Sequence, residues 1–267
     1  MDITRILRTA GCVYAEAEAE LLSEAFSGEQ LREMVARRVT GVPLEQILGW
    51  AEFYGLRIVV EPGVFVPRRR TELLVDEALA LHPETVVDIC CGSGAVGAAL
   101  ARSIDGLNLH AADIDADAVR CARRNIEPSH VHLGDLYEPL PEELRGRVDV
   151  IVANAPYVPT DEIGSMPSEA RDHEPRSALD GGADGLHVQR RVAVGAPLWL
   201  RDGGHLLIET SVGQADRTSR IIEQAGFATR IVSSDELDAT VVVGVVLPTE
   251  NTPTTGNSDS GKRVESG

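Results

Sequence analysis

One run of residues, Thr85-Val86-Val87-Asp88-Ile89-Cys90, reads as a buried strand and passes straight into a glycine-rich turn, Gly92-Ser93-Gly94-Ala95-Val96-Gly97. The small apolar residues from 94 to 103 then suit a helix packed on a sheet. A buried strand handing over at once to a helix is the repeating unit of a doubly wound fold. The unit recurs. Residues 107–113 read as a second strand, with a helix over 115–126 that Asp115 caps. Residues 130–133 and 148–153 read as strands three and four. A helix over 186–200 precedes Gly203-Gly204 and a fifth strand at 205–209, and a helix over 213–225 leads to strands at 228–233 and 239–247. The last two strands have no helix between them, so one of them runs antiparallel. The expectation is an α/β, Rossmann-like fold with a mostly parallel seven-stranded sheet.

The stretch ahead of this core differs in character. Residues 2–40 show helical periodicity at Ile3, Ile6 and Leu7, at Leu21, Leu22, Ala25 and Phe26, and again at Leu31, Met34, Val35 and Val39. This predicts a small N-terminal helical appendage, residues 1–40. Gly41-Val42-Pro43 breaks it. Residues 41–70 read as a linker with a β-hairpin, its turn at Pro62-Gly63 between 53–60 and 64–66. Thr71 is placed to cap a helix running to about residue 81. A catalytic unit then spans 71–248. Residues 249–267 lack large apolar groups, so burial cannot offset ordering entropy, and they are expected to be disordered.

The glycines and the acids near them carry chemistry. Gly92, Gly94 and Gly97 have the spacing that lets backbone turn sharply and approach a ligand. The pattern suits both a dinucleotide and S-adenosylmethionine. Asp88, at the strand end, favours the latter, because a pyrophosphate seeks bare amides whereas a carboxylate suits a cationic methionine end. Asp113 closes the second strand, where a carboxylate accepts from ribose hydroxyls in either ligand class. Asp135, after the third strand, is the candidate partner of the adenine amino group.

The fourth strand ends in Asn154-Ala155-Pro156-Tyr157. Ligands of such sheets lie beyond the carboxyl ends of the strands, so this loop faces the same crevice as the glycine turn. An asparagine carbonyl holds an N–H and aims the nitrogen lone pair, proline stiffens the wall, and tyrosine offers a flat face to a planar acceptor. The Ala155 carbonyl is a second acceptor. Positioning of this kind supplies much of a group-transfer rate without a strong base.

Charge and cysteines narrow the class. The net charge of −17 lacks the bulk signature of a duplex-DNA binder and suits small molecules or a basic protein partner. Cys12, Cys90, Cys91 and Cys121 show no metal-ligand spacing and read as reduced, structural thiols, and no metal is expected. No apolar run reaches the roughly 18 residues that cross a membrane, and the N-terminus shows no signal-peptide core, so the expected address is the cytosol. His173 beside Glu174 reads equally as an acid–base pair and as surface polarity. His110, His130, His132 and His205 read as structural, Arg123-Arg124 as a solvated helix face, and the Arg68–Arg70 run as a solvated turn or a contact to acids.

The order of these motifs resembles the class I S-adenosylmethionine-dependent methyltransferases that modify exocyclic or amide nitrogens, whose loop reads Asn/Asp-Pro-Pro-Tyr/Phe. More narrowly it resembles the HemK-type (PrmC-like) protein-glutamine N5-methyltransferases, which act on peptide release factors. The resemblance covers residues 41–247. It rests also on Gly41-Val42-Pro43-Leu44-Glu45-Gln46-Ile47-Leu48-Gly49, on Phe65-Val66-Pro67-Arg68-Arg69-Arg70-Thr71-Glu72, and on His173-Glu174-Pro175 followed by residues 178–185. It implies S-adenosyl-L-methionine as cofactor, a release factor as protein partner, and Asn154, Pro156 and Tyr157 as the glutamine-holding residues. It also implies that Arg68, Thr71 and Glu72 lie near the cofactor or the cleft mouth. The chain departs from the family at Ala155, where a proline is usual, in a shorter N-terminal region, and at Asp238-Ala239-Thr240-Val241, where an Arg is usual. These departures mark a divergent branch. A small-molecule or nucleobase nitrogen methyltransferase is the alternative within enzymes. An NAD-dependent oxidoreductase and a non-catalytic cofactor-binding regulator are the alternatives outside that class.

Overall fold

A computed structural model describes residues 1–247. The segment 249–267, expected to be disordered, lies outside the described residues.

The core is a seven-stranded sheet in the order β5-β4-β3-β6-β7-β9-β8. Its strands are β3 (Thr85–Ile89), β4 (Asn108–Asp113), β5 (Val131–Leu133), β6 (Val148–Ala153), β7 (Leu200–Thr210), β8 (Phe227–Ser234) and β9 (Ala239–Val246). Strands β3 to β7 pair in parallel, and β9 runs antiparallel to both neighbours, as the missing crossover helix predicts. Because strand side chains alternate, each strand feeds two cores. Val86, Val150, Val152 and Leu207 face one layer, with α5 (Glu72–Leu79), α6 (Ala95–Ser103) and α7 (Ala116–Ala122). Val87, Ile89, Ile151, Leu206 and Ile208 face the other, with α10 (His187–Gly195) and α11 (Ala215–Gln224). Two further short helices, α8 (Ser168–His173) and α9 (Arg176–Leu179), lie between β6 and α10 in the chain.

Ahead of the sheet, α1 (Ile3–Thr9), α2 (Ala15–Ala25), α3 (Gly28–Val39) and α4 (Leu44–Leu48) enclose a separate small core around Leu7, Leu22, Met34 and Val35. Arg38 is buried there against Glu18 at 2.6 Å and reaches Glu169 of α8 at 2.7 Å. Gln46 of α4 donates to the His173 carbonyl at 3.3 Å. The helical unit is thereby fastened to the segment that follows the Asn-Ala-Pro-Tyr loop. Among the described residues, no helix is long and apolar enough to cross a membrane.

Three local expectations are corrected. The hairpin is β1 (Trp50–Phe53) with β2 (Leu56–Val59), and its turn is Tyr54-Gly55 rather than Pro62-Gly63. Both turn residues have positive φ, 52° and 70°, which matches the twist of a two-residue hairpin. Thr71 makes no side-chain cap to α5, because its hydroxyl is used elsewhere. The helix expected over 186–200 stops at Gly195, since Pro197 lacks the N–H that would continue it, and β7 already begins at Leu200. Asp115 does cap α7, accepting from Asp117 N at 2.8 Å.

Candidate active site

Strands β3, β4, β6 and β7 end on one side of the sheet, and a cavity of about 570 Å³ opens there. That lies within the roughly 300–1,000 Å³ typical of small-molecule sites. Its wall includes Asp88, Gly92, Asp113, all four residues of the 154–157 loop, Arg68, Arg70 and Thr71 from the segment after the hairpin, and Met166, Ala170 and Glu174 from the α8 region.

The glycine turn is held by the two acids. Cys90 and Gly92 have φ of 60° and 55°, so the backbone reverses within three residues. Gly92 N donates to Asp113 Oδ2 at 2.9 Å, and Asp115 N donates to Asp113 Oδ1 at 2.9 Å. The Asp113 carboxylate thus pins the turn and the start of α7 while facing the cavity. Burial raises its pKa, and these amide donors pull it back. Asp88 accepts from Gly97 N at 3.1 Å. Burial pushes Asp88 up to about 7, with the Gly97 amide opposing and the Asp113 charge adding. A carboxyl poised in this way becomes fully ionised when a cation settles beside it. Burial also raises the Cys90 and Cys91 thiols well above their usual range, so neither is a nucleophile at neutral pH.

The three glycines have different physical roles. Gly92 meets nothing where a Cβ would stand, and its requirement is conformational. A Cβ on Gly94 would lie 2.8 Å from Ile126 Cδ1, and one on Gly97 would lie 2.8 Å from the same atom and 3.1 Å from Leu109 Cδ2. Gly94 and Gly97 are therefore behind the wall, where they let α6 pack close to α7 and the sheet.

The loop after β6 is fixed at several points. Asn154 Nδ2 donates to Thr71 Oγ1 at 3.2 Å. The Tyr157 carbonyl accepts from Gln214 Nε2 at 3.0 Å, and Val158 pairs with Asp180 in an isolated parallel bridge. Ala155 and Pro156 are buried, and Tyr157 is half-buried. Burial raises the Tyr157 phenol, and the Glu209 charge adds to it, so the hydroxyl stays neutral.

Other sequence candidates go elsewhere. Asp135 is not in the cavity wall. Leu136 beside it is left-handed (φ 50°), and the Asp135 carboxylate pairs with Arg191 of α10 at 2.7 Å. Glu72 turns away to accept from Tyr54 N at 3.1 Å. His173 and Glu174 form no acid–base pair. Glu174 Oε1 accepts from Arg68 at 2.6 Å and from Val66 N at 3.1 Å, which ties the 65–71 segment to the loop after α8. The arginine run is thus a contact to acids. Arg69 meets Glu236 at 3.4 Å, and Arg70 approaches Glu209 at 3.5 Å. Arg123 and Arg124 are exposed yet engaged, with the Val131 carbonyl and Glu61 respectively. His110 of β4 stacks on His132 of β5, with centroids 5.3 Å apart, and on His130 just ahead of β5 at 4.8 Å. All four cysteines are free.

Glu209, at the end of β7, was not singled out from the sequence. It is 2% exposed, and burial raises its pKa. A single acid closing an apolar strand beside the site was the available signal.

Residues 55–168 match the family described as methyltransferase small domain. The chain is 39% identical over 219 residues to a release factor glutamine methyltransferase of Geobacter sulfurreducens, covering 80% of this chain and 76% of that one. It is 40% identical over 205 residues to a protein of the same description from Streptomyces coelicolor, covering 73% of each. Among solved structures, a methyltransferase from Pyrococcus furiosus superposes with a TM-score of 0.50 at 18% identity, over 79% of this chain and 96% of that one, and so shares its fold.

Proposed function

This chain belongs to the release factor glutamine methyltransferase family, and we propose on that footing that it methylates the side-chain amide nitrogen of a glutamine in a peptide release factor. It is an S-adenosylmethionine-dependent methyltransferase. The residues present suit that cofactor. Asp88 offers a buried carboxyl to its cationic end, Gly92 brings backbone close, and Asp113 offers carboxylate lone pairs to the ribose hydroxyls. When bound, the cofactor supplies a methyl group already activated by its sulfonium.

The remaining task falls to this chain. An amide nitrogen is a poor nucleophile because its lone pair is delocalised into the carbonyl. Asn154 Nδ2 is engaged with Thr71, so Asn154 Oδ1 is the atom left to accept an N–H of the glutamine. The Ala155 carbonyl accepts the other. Together they aim the lone pair and polarise the N–H, whose proton passes to solvent after the methyl is transferred. Pro156 and the neutral ring of Tyr157 wall the planar amide. Asp135, engaged with Arg191, leaves the adenine amino group to other parts of the wall.

The acidic chain, net charge −17, suits a basic protein surface as partner. The four free thiols suit a reducing compartment such as the cytosol. We divide the chain into a helical appendage at 1–40, a linker at 41–70 and a catalytic unit from 71.

The observation that carries this reading is the convergence of Asp88, Asp113 and the 154–157 loop on one cavity. The test is mass spectrometry of release-factor glutamines in cells with and without this protein. Methyl-glutamine that depends on its presence is expected. Unmethylated release factor in both, alongside methylation of free amines or nucleobases in vitro, would overturn the acceptor. Asn154→Ala is expected to abolish turnover while leaving S-adenosylhomocysteine binding nearly intact.

A further inference from the structure

Between β6 and α10 the chain runs as a strip, residues 160–179, that helps to line the cavity yet has little apolar grip on the fold. Its helices α8 and α9 are six and four residues long. Both are far below the roughly 12 residues at which an isolated helix becomes even marginal in water. The buried apolar side chains of the strip are Ala170 and Leu179. A segment with so few buried apolar contacts takes its position from other interactions.

Polar contacts supply them, and they run to two places. The first is the facing wall, residues 64–68. Gln46 of α4 is 6% exposed. Its Nε2 donates to the Val64 carbonyl at 3.2 Å and to the His173 carbonyl at 3.3 Å. An amide NH₂ carries two protons, so one neutral atom closes both bonds and no charge is buried. One residue along the strip, Glu174 Oε1 accepts from Val66 N at 3.1 Å and from Arg68 Nη2 at 2.6 Å. These two rungs cross-link residues 64, 66 and 68 to residues 173 and 174. The second place is α3. Arg38 Nη1 meets Glu169 at 2.7 Å, while its Nε and Nη2 are held by Glu18. A Cβ on Gly41 would lie 3.6 Å from His173 Nε2, so the backbone after α3 rests directly against α8.

Both walls are also joined to the Asn154–Tyr157 loop. On one side Thr71 Oγ1 accepts from Asn154 Nδ2 at 3.2 Å. On the other, Val158 N donates to the Leu179 carbonyl at 3.0 Å, and Gly181 N donates to the Val158 carbonyl at 2.9 Å. The loop therefore lies between two strips of chain that Gln46 and Glu174 clasp together.

We propose that Gln46 is a positioning residue for the methyl acceptor, holding the two walls at the spacing that admits a glutamine side chain and so letting the helical unit set affinity for the protein substrate. The inference rests on the function proposed above and deepens it. A strip already in place has little left to order when the acceptor arrives. With the Gln46 rung broken, that ordering is deferred to each binding event. The loss falls on the acceptor, because Asp88, Gly92 and Asp113 belong to β3, β4 and the turn after β3 rather than to either strip.

Three variants test it. Gln46→Met keeps the length and removes both bonds. Gln46→Glu keeps the shape and sets an acceptor against each carbonyl. Glu169→Gln, at an exposed position outside the cavity wall, removes the charge that Arg38 meets. The first measurement needs no activity: amide hydrogen exchange read by mass spectrometry. Residues 160–179 are expected to exchange about tenfold faster in Gln46→Met than in the wild type, with β3 to β7 unchanged. The second is steady-state kinetics with a full-length release factor. KM for that protein is expected to rise about tenfold in Gln46→Met, the effect of ~1.4 kcal/mol, further in Gln46→Glu and less in Glu169→Gln. The kcat and the S-adenosylhomocysteine affinity should stay within about twofold, the split that marks lost acceptor binding. Unchanged exchange in the strip, or faster exchange throughout the sheet, overturns the clasp. A fall in kcat at unchanged KM, or an equal loss of cofactor affinity, overturns its role toward the acceptor. A wild type that transfers no methyl to release factor sinks the proposed function instead, and the exchange measurement then still decides the clasp.

Discussion

Replacing Asp88 with Asn should make the empty protein more stable and the cofactor site worse. The Asp88 pKa is about 7 against an ordinary 3.8. Between those values the folded chain holds a proton that the unfolded chain has released, so raising the pH through this window destabilises the fold. At ~1.36 kcal/mol per pKa unit, this linkage lowers stability relative to acid by about 2 kcal/mol at pH 5, where only the unfolded chain is ionised, and by about 4 kcal/mol at pH 8, where the folded carboxylate is ionised too. Asn has no charge to bury. Its Oδ1 accepts from the Gly97 amide in place of Asp88 Oδ2, and its NH₂ faces the cavity. The site relaxes around the charge, so about half the full figure is expected, ~2 kcal/mol at pH 8. For a chain of this size that raises Tm by roughly 4–8 °C. The assay is thermal unfolding of wild type and Asp88→Asn from pH 5.5 to 8, with S-adenosylmethionine affinity measured by calorimetry. Tm of the variant should exceed that of the wild type by a margin that widens with pH. Affinity should fall by about ten- to a hundredfold, the loss of one charge-assisted contact. A margin independent of pH, or a variant that melts lower at pH 8, would refute the burial argument. Unchanged affinity would remove Asp88 from the cofactor site.

Three other outcomes follow from the packing. Gly97→Ala places a Cβ 2.8 Å from Ile126 Cδ1, and overpacking of this kind should cost about 1–3 kcal/mol in urea unfolding. Arg38→Met leaves Glu18 buried without its partner, so about 3–5 kcal/mol of stability should be lost, and restoring neutrality with Glu18→Gln should recover much of it. Burial lowers His110 to about 4, with the neighbouring His130 and His132 adding to the effect. The unfolded chain therefore takes up that proton first, and stability should drop as pH falls from about 6.5 towards 4. His110→Gln should flatten this acid-side loss in pH-resolved melts.

Much of the architecture was legible along the chain because its signals are local. The strand runs at 85–90 and 148–153, the turn that follows the first, and the missing helix before the last strand report themselves within a dozen residues. They led to the parallel sheet with its one antiparallel strand, and they put Asp88, Asp113 and Asn154 on one edge. The hairpin turn was misplaced because Pro62-Gly63 is the louder signal, whereas Tyr54 must be forced to positive φ by strands on either side.

Side-chain destinations were a different matter. Asp135 reads as a site residue until Arg191, which is 56 positions away, claims it. Thr71 reads as a helix cap until Asn154, at a separation of 83, takes its oxygen. Glu174 reads as half of an acid–base pair until Arg68, at a separation of 106, reaches it. A polar group goes to whichever partner best offsets its desolvation, and that partner is set by which elements the fold stacks together. The α/β fold and the gathering of these residues at the carboxyl ends of the strands could be read along the chain, because strand runs and turns are local signals. Which of them face the cavity was settled by packing, which sets Asp88 and Asp113 in its wall and turns Asp135 away to Arg191.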